Sequence, residues 1–193
     1  SSVMDVDDTL MDELFHREMS IREIVSKVMG HLSEGGVDIT PLRNLIAENI
    51  DEKKIRESGI ELCLLTFSVS KMKEVDISIG EIPENLLADY LLASAYLVGF
   101  KNEKLHGETY IDGGLINNVP TNSLIQRGHE NLIQIRIYGP GRKPRVKWTE
   151  NTKLYEIAPT VKLGSIIEFD SKRSQNNMKI GYFDAKRMLY GLI

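Results

Sequence analysis

The sequence predicts an α/β layered fold, and three observations carry that expectation. Residues 60–69 form an unbroken apolar run rich in β-branched side chains, the pattern of a strand buried on both faces. Segments with helical spacing of apolar residues alternate with short strand-like runs from there to the C-terminus. Between them stands one stretch, YIDGGLINNVP at 110–120, that reads as a strand ending in a tight turn and passing into a helix.

Helices dominate the first third. Leu10, Met11, Leu14 and Phe15 suggest a short one. Ser20-Ile21-Arg22-Glu23 is an S-x-x-E capping box, followed by Ile21, Ile24, Val25, Val28, Met29 and Leu32 at helical spacing, with Gly35-Gly36 as the stop. Thr40-Pro41 opens a third helix with Leu42, Leu45 and Ile46 on one face, and residues 51–56 a short fourth. After the apolar run at 60–69, residues 75–79 alternate and should pair with it as a hairpin. A helix is expected from Ile82-Pro83-Glu84 through Leu86, Leu87, Tyr90, Leu91 and Leu92, with Gly99 beyond its end. The rest reads as a helix over 121–127, a strand over 132–138, a short strand over 154–157, and a closing helix over 183–192 with Met188 and Leu189 inward. The whole of 1–193 is expected to form a single domain.

Composition sets bounds on function. The chain of 193 residues is 41% apolar and 27% charged, ordinary for a soluble globular protein, and its net charge of −4 argues against a general nucleic-acid binder. No run approaches the ~20 apolar residues that span a bilayer. The lone Cys63 lies in an apolar run, cannot form an internal disulfide and reads as a small buried hydrophobe, which fits a cytoplasmic location. His16, His31, His106 and His129 show no metal-ligand spacing, so neither metal nor cofactor is expected. The polar segment 139–153, with Arg142, Lys143, Arg145, Lys147 and Lys153 around Trp148, reads first as a solvated loop and second as a peripheral contact with anionic headgroups.

The chemistry concentrates at Asp112. It sits where a strand stops, so its carboxylate projects past the sheet edge, and Gly113 and Gly114 allow either positive φ or a close approach by another backbone. Asn117 and Asn118 favour turns, and Pro120 suits the first turn of a helix. A bare D-G-G is most often only a capped turn; the longer string is far rarer.

That longer string, Tyr110 to Pro120, with the helix ending at Arg127-Gly128 and the apolar run 132–137, resembles the second catalytic motif of patatin-like phospholipases. The resemblance extends as pattern from about Leu10 to the end of the chain and is motif-grade only around Asp112. It implies a three-layer α/β/α fold with a mostly parallel central sheet. By the same resemblance, Asp112 is the general base of a Ser-Asp dyad on the Gly113-Gly114 turn, acting on lipid or other acyl esters. The family's G-x-S-x-G elbow and glycine-rich oxyanion loop do not occur in this sequence. In this family both would lie upstream of Ser1, so the chain carries half a catalytic site and is expected to be inactive alone. The start at Ser1 rather than Met agrees with part of a longer gene product.

Two other readings stand beside it. Asp5-Val6-Asp7-Asp8-Thr9 resembles the first motif of haloacid-dehalogenase-like phosphatases, and 59–66 resembles their second, which would make Asp5 the nucleophile and Asp7 the acid/base beside Mg²⁺. Only four residues precede Asp5, too few for the buried strand that such a nucleophile follows, and Asp112 precedes glycines rather than the second carboxylate of that family's paired acidic motif. The commonest reading of Asp5, Asp7 and Asp8 is a helix N-terminus. The third reading is a catalytically incomplete homologue that keeps the fold as a binding module.

Overall fold

A computed structural model describes residues 19–32, 38–96, 101, 103–139, 141–164 and 170–191. The expected helix over 10–15, the Asp5 and Asp7 motif, His16, Gly35-Gly36 and Gly99 lie outside the described residues. The fold is mixed α/β and divides into two compact units. The first comprises the described residues up to Asn118 with residues 141–143; the second comprises Val119–Gly139 and the described residues from 144 onward.

In the first unit, α1 (Ile21–Leu32) opens on the expected capping box. The Ser20 N–H donates to Glu23 Oε2 at 2.8 Å while the Glu23 N–H donates to Ser20 Oγ at 3.3 Å. Ile24, Val25 and Val28 are buried along one stripe. Helix α2 (Thr40–Asn49) starts at Thr40-Pro41 as expected, with Leu42 and Ile46 against the cluster of Ile39, Leu92, Ala93, Tyr96 and Leu105, but Leu45 points to solvent. Helix α3 (Glu52–Glu57) is capped by Asp51, whose carboxylate accepts from the Lys54 N–H at 3.0 Å.

Strands β1 (Cys63–Ser68) and β2 (Lys73–Ser78) form the expected hairpin, antiparallel with Thr66 opposite Val75. Helix α4 (Leu87–Ser94) begins later than its apolar pattern suggests, because Asn85 takes φ 66° and that conformation cannot lie inside a right-handed helix. Its Leu87 joins Leu64, Ile79 and Ile82 in a second apolar cluster. Strand β3 (Tyr110–Asp112) lies along the other side of β1, antiparallel, with Asp112 opposite Thr66. The sheet order is therefore β2-β1-β3.

The mostly parallel central sheet is not what the described residues form. The link between β1 and β2 is four residues, and a short turn admits only antiparallel pairing, since a parallel partner needs a crossover of about a dozen residues. Parallel pairing occurs in the second unit, where β4 (Asn131–Ile135) pairs with β5 (Lys153–Ile157) across the long 136–152 connection. That unit also holds α5 (Thr121–Gln126) and α6 (Ser171–Leu189). Helix α6 starts twelve residues before the expected 183. Its N-terminal half is too polar to show apolar periodicity, yet Asp170 caps it by accepting from the Arg173 N–H. Leu189, expected inward, is 68% exposed; the inward stripe is instead Arg173, Asn177, Ile180, Asp184 and Met188.

Candidate functional site

Asp112 ends β3 and begins a single 3-10 turn, Gly113–Leu115. Its backbone N–H donates to Tyr96 O at 2.9 Å, and its carboxylate Oδ1 accepts the Gly114 N–H at 2.7 Å, satisfying one of the orphan donors at the start of the turn. Among the described residues none hydrogen-bonds the second oxygen, Oδ2. The side chain is half-buried. Burial pushes its carboxyl above the ordinary aspartate value, and the Gly114 N–H pulls it part of the way back.

The two glycines do different things. Neither has positive φ. A Cβ on Gly113 would stand 2.6 Å from Leu65 C and 2.9 Å from Thr66 N, with Leu65 O closer still, so the turn lies flat against the β1 backbone and only glycine fits. A Cβ on Gly114 would meet only Asp112, 3.0 Å from Oδ1. Gly113 therefore sets how close the turn comes to the sheet, and Gly114 leaves room for the carboxylate.

Three further features hold the turn. Gly113 O accepts from the Ile116 N–H at 3.1 Å and the Asn117 N–H at 2.9 Å. Asn117 is buried, donates through Nδ2 to Glu74 Oε2 on β2 at 3.2 Å, and finds no hydrogen-bond partner for Oδ1 among the described residues. Residues 141 and 142 run alongside, where the Arg142 N–H donates to Leu115 O at 3.1 Å and Arg142 O accepts from the Asn118 N–H at 2.8 Å. Gly141, at φ 117°, passes so close that a Cβ would lie 2.9 Å from Gly114 C. Sequence reasoning placed Asn117 only in a turn and missed Gly141, although Gly139-Pro140-Gly141 is a turn signal that marks a backbone held close to something.

Tyr96, whose carbonyl holds the Asp112 N–H, is itself fixed. It is buried, its hydroxyl donates to Lys101 O at 2.9 Å, and it accepts the Glu103 N–H at 2.9 Å. Two hydroxyls are committed to backbone carbonyls: on β1, Thr66 Oγ1 lies 2.8 Å from Ala93 O and 3.0 Å from Ile111 O, and at the end of α4, Ser94 Oγ donates to Leu65 O at 2.7 Å. Neither is a free nucleophile. His106 sits apart on the surface with Asp89, 3.0 Å away.

A family model for patatin-like phospholipases matches residues 13–125, more than half of the chain and all of the Asp112 turn. The chain belongs to the patatin-like phospholipase family. No curated protein and no solved structure matches it. Membership in a family of lipid acyl hydrolases makes a lipid-directed hydrolase the setting for this turn. The matched region begins after Asp5 and Asp7 and stops inside α5, so β4, β5 and α6, which the resemblance of pattern took in, lie beyond it. No helix among the described residues is long and apolar enough to cross a membrane.

Proposed function

We propose that this protein is the base-bearing part of a patatin-like acyl-ester hydrolase, of the phospholipase A, lysophospholipase or lipase kind. Asp112 is its general base, and the nucleophilic serine comes from a segment outside this sequence. The observation that carries the reading is the state of the Asp112 carboxylate: fixed by its backbone at a strand end, bonded through one oxygen to the Gly114 N–H, and with the other oxygen taken by no described residue. An ordinary aspartate, near ~3.9, is a weak base toward a hydroxyl. Partial burial raises its proton affinity toward the working pH, as general-base catalysis requires.

In the reaction, Asp112 Oδ2 takes the proton of the serine hydroxyl as the serine oxygen attacks the ester carbonyl. The tetrahedral intermediate expels the alcohol, which receives that proton, and leaves an acyl-enzyme. Water then attacks the acyl carbon while Asp112 again accepts the proton, and the carboxylic acid departs with the serine restored. Gly113 and Gly114 are positioning residues: one brings the turn against β1, the other keeps the carboxylate unobstructed. The chain without its serine segment is inactive on this reading.

The test is p-nitrophenyl butyrate hydrolysis by the full-length protein beside its Asp112→Asn variant, with fluorophosphonate labelling to locate the serine. The asparagine keeps an oxygen for the Gly114 N–H, so the turn is retained while the base is lost. Turnover should fall by about 10²–10⁴-fold, the usual contribution of a general base. Wild-type turnover in the asparagine variant, or a fluorophosphonate adduct on Ser94, would overturn the assignment.

A further inference from the structure

Helix α6 presents a surface that the hydrolase reading does not use. Its inward stripe is tied to the segment before it: Asp184 accepts from the Thr160 hydroxyl at 2.9 Å and the Thr160 N–H at 3.2 Å, and Asn177 donates to Leu163 O at 2.9 Å. The opposite side is apolar yet open to solvent. Met178 is 75% exposed, Tyr182 59%, Phe183 60%, Leu189 68% and the C-cap Tyr190 69%. At 3.6 residues per turn, Met178, Tyr182 and Leu189 form one column and Phe183 and Tyr190 a second, beside it.

Between these columns runs a row of lysines. Lys172, Lys179 and Lys186 recur at intervals of seven, which places them on one face about 10 Å apart. Lys186 Nζ sits 5.3 Å from the Tyr182 ring centroid and 5.7 Å from that of Tyr190. The helix carries Lys172, Arg173, Lys179, Lys186 and Arg187 against the single acid Asp184, which is buried. The chain's net −4 is thus made of +4 on this helix and −8 elsewhere. A basic, aromatic-bearing face on an otherwise acidic protein is matched to an anionic apolar boundary: cations for phosphate, rings and aliphatic chains for the region beneath the headgroups.

We propose that α6 docks this protein on anionic lipid surfaces, lying in the interface with Met178, Tyr182, Phe183 and Leu189 inserted and Lys172, Lys179 and Lys186 at the phosphates. The choice of a lipid partner rests on the hydrolase reading, but the docking is measured without turnover. This surface is distinct from the basic Trp148 loop, which has no helix to present an apolar face.

The test is flotation of the full chain with vesicles of ether-linked lipids, which offer no ester to cleave, made of phosphatidylcholine alone or with a minority of phosphatidylglycerol. The protein should float with the anionic vesicles, more weakly as salt rises. Lys179→Gln/Lys186→Gln should weaken binding roughly 30-fold, about fivefold per lysine at an anionic surface. Tyr182→Ser/Phe183→Ser should abolish it, while Arg145→Gln/Lys147→Gln in the loop should leave it unchanged. Circular dichroism of each variant shows that the fold is kept. Three results overturn the proposal: no binding to anionic vesicles, binding that falls only in the loop variant, or a dimer in light scattering that Tyr182→Ser/Phe183→Ser dissociates. The last would mean that a second copy covers the face. Vesicle binding without ester turnover by the full-length protein would count against the hydrolase reading alone, and turnover by that protein without vesicle binding against the docking alone.

Discussion

Alanine at Gly113 and alanine at Gly114 should separate into a structural effect and a catalytic one. At Gly113 the new Cβ would stand 2.6 Å from Leu65 C and 2.9 Å from Thr66 N, and both are backbone of the middle strand of a three-stranded sheet. Backbone in a paired strand cannot step aside as the end of a flexible side chain can. The cost therefore belongs at the upper end of the overpacking range, about 2–3 kcal/mol. For a chain of this size each kcal/mol shifts Tm by about 2–4 °C, so Gly113→Ala should lower it by about 4–12 °C. At Gly114 the new Cβ would meet only Asp112 Oδ1 at 3.0 Å, and the position has no positive φ to strain. Alanine there also restricts the unfolded chain, worth about 0.4–1 kcal/mol in its favour, so net stability should stay within ~1 kcal/mol of wild type. The carboxylate must turn away from the methyl group, however, and a displacement near 1 Å at a reacting group costs about 10²-fold in rate. Urea or thermal melts beside p-nitrophenyl ester turnover in the full-length protein would show both. A Gly114→Ala variant more destabilised than Gly113→Ala, or a Gly113→Ala variant that melts at the wild-type temperature, would refute the packing of Gly113 against β1 as the source of the difference.

Asp112→Asn should raise stability at neutral pH. A carboxyl whose folded pKa lies above its unfolded value of 3.8 makes the folded state bind more protons, so its penalty is present above the folded pKa and is relieved as pH falls through it. The gap between variant and wild type in melts should close on acidification. Glu52 has the opposite sign. Burial pushes its carboxyl up, but Arg56 and the N–H groups of Leu87 and Asn85 more than offset that, so its stabilisation is present above 4.5 and lost as pH falls through the lowered folded value. Arg56→Ala should cost about 2–3 kcal/mol in urea melts, because its guanidinium bonds Glu52 and the carbonyls of Ile79 and Ile82. Asp184→Ala should cost about 1–3 kcal/mol by leaving the Thr160 N–H and hydroxyl without an acceptor; a melt unchanged from wild type would show that water replaces it.

Local signals were legible wherever one residue's chemistry decides the structure. The Ser20/Glu23 box, Thr40-Pro41, the β1–β2 hairpin and the Asp112 turn all follow from caps, turn formers or alternation, and all are formed. What the sequence hid depends on residues far apart in the chain. No pattern in β1 or β3 sets their relative direction, and they run antiparallel. The start of α4 was misplaced because a single left-handed residue, Asn85, cancels the apolar periodicity around it. The length of α6 was hidden for the reverse reason: SKRSQNN has no apolar stripe, and polar contacts from Asn177 and Asp184 hold the helix there instead. At the site, the choice left open resolves toward close approach at Gly113, but a close approach names only one partner. The other, Leu65 of β1, lies 48 residues earlier.

On the proposed reading of Asp112 as general base, the same distinction explains how a weak base can be held ready. A side chain locked by many hydrogen bonds to its charged form would have a lowered pKa and no oxygen to spare, the condition of Glu52. Asp112 is held the other way. Its N–H is tied to Tyr96, the turn after it is pressed by Gly113 against Leu65, and Gly141 crosses within contact of Gly114, so the backbone is over-determined while the carboxylate keeps one bond. Position comes from Gly113 packed against backbone, and the raised proton affinity comes from burial that no described cation offsets. Placing those two demands on different atoms lets a short turn aim a carboxylate without quenching it. On that proposal the glycines, which carry no chemistry of their own, are as necessary to the motif as the aspartate.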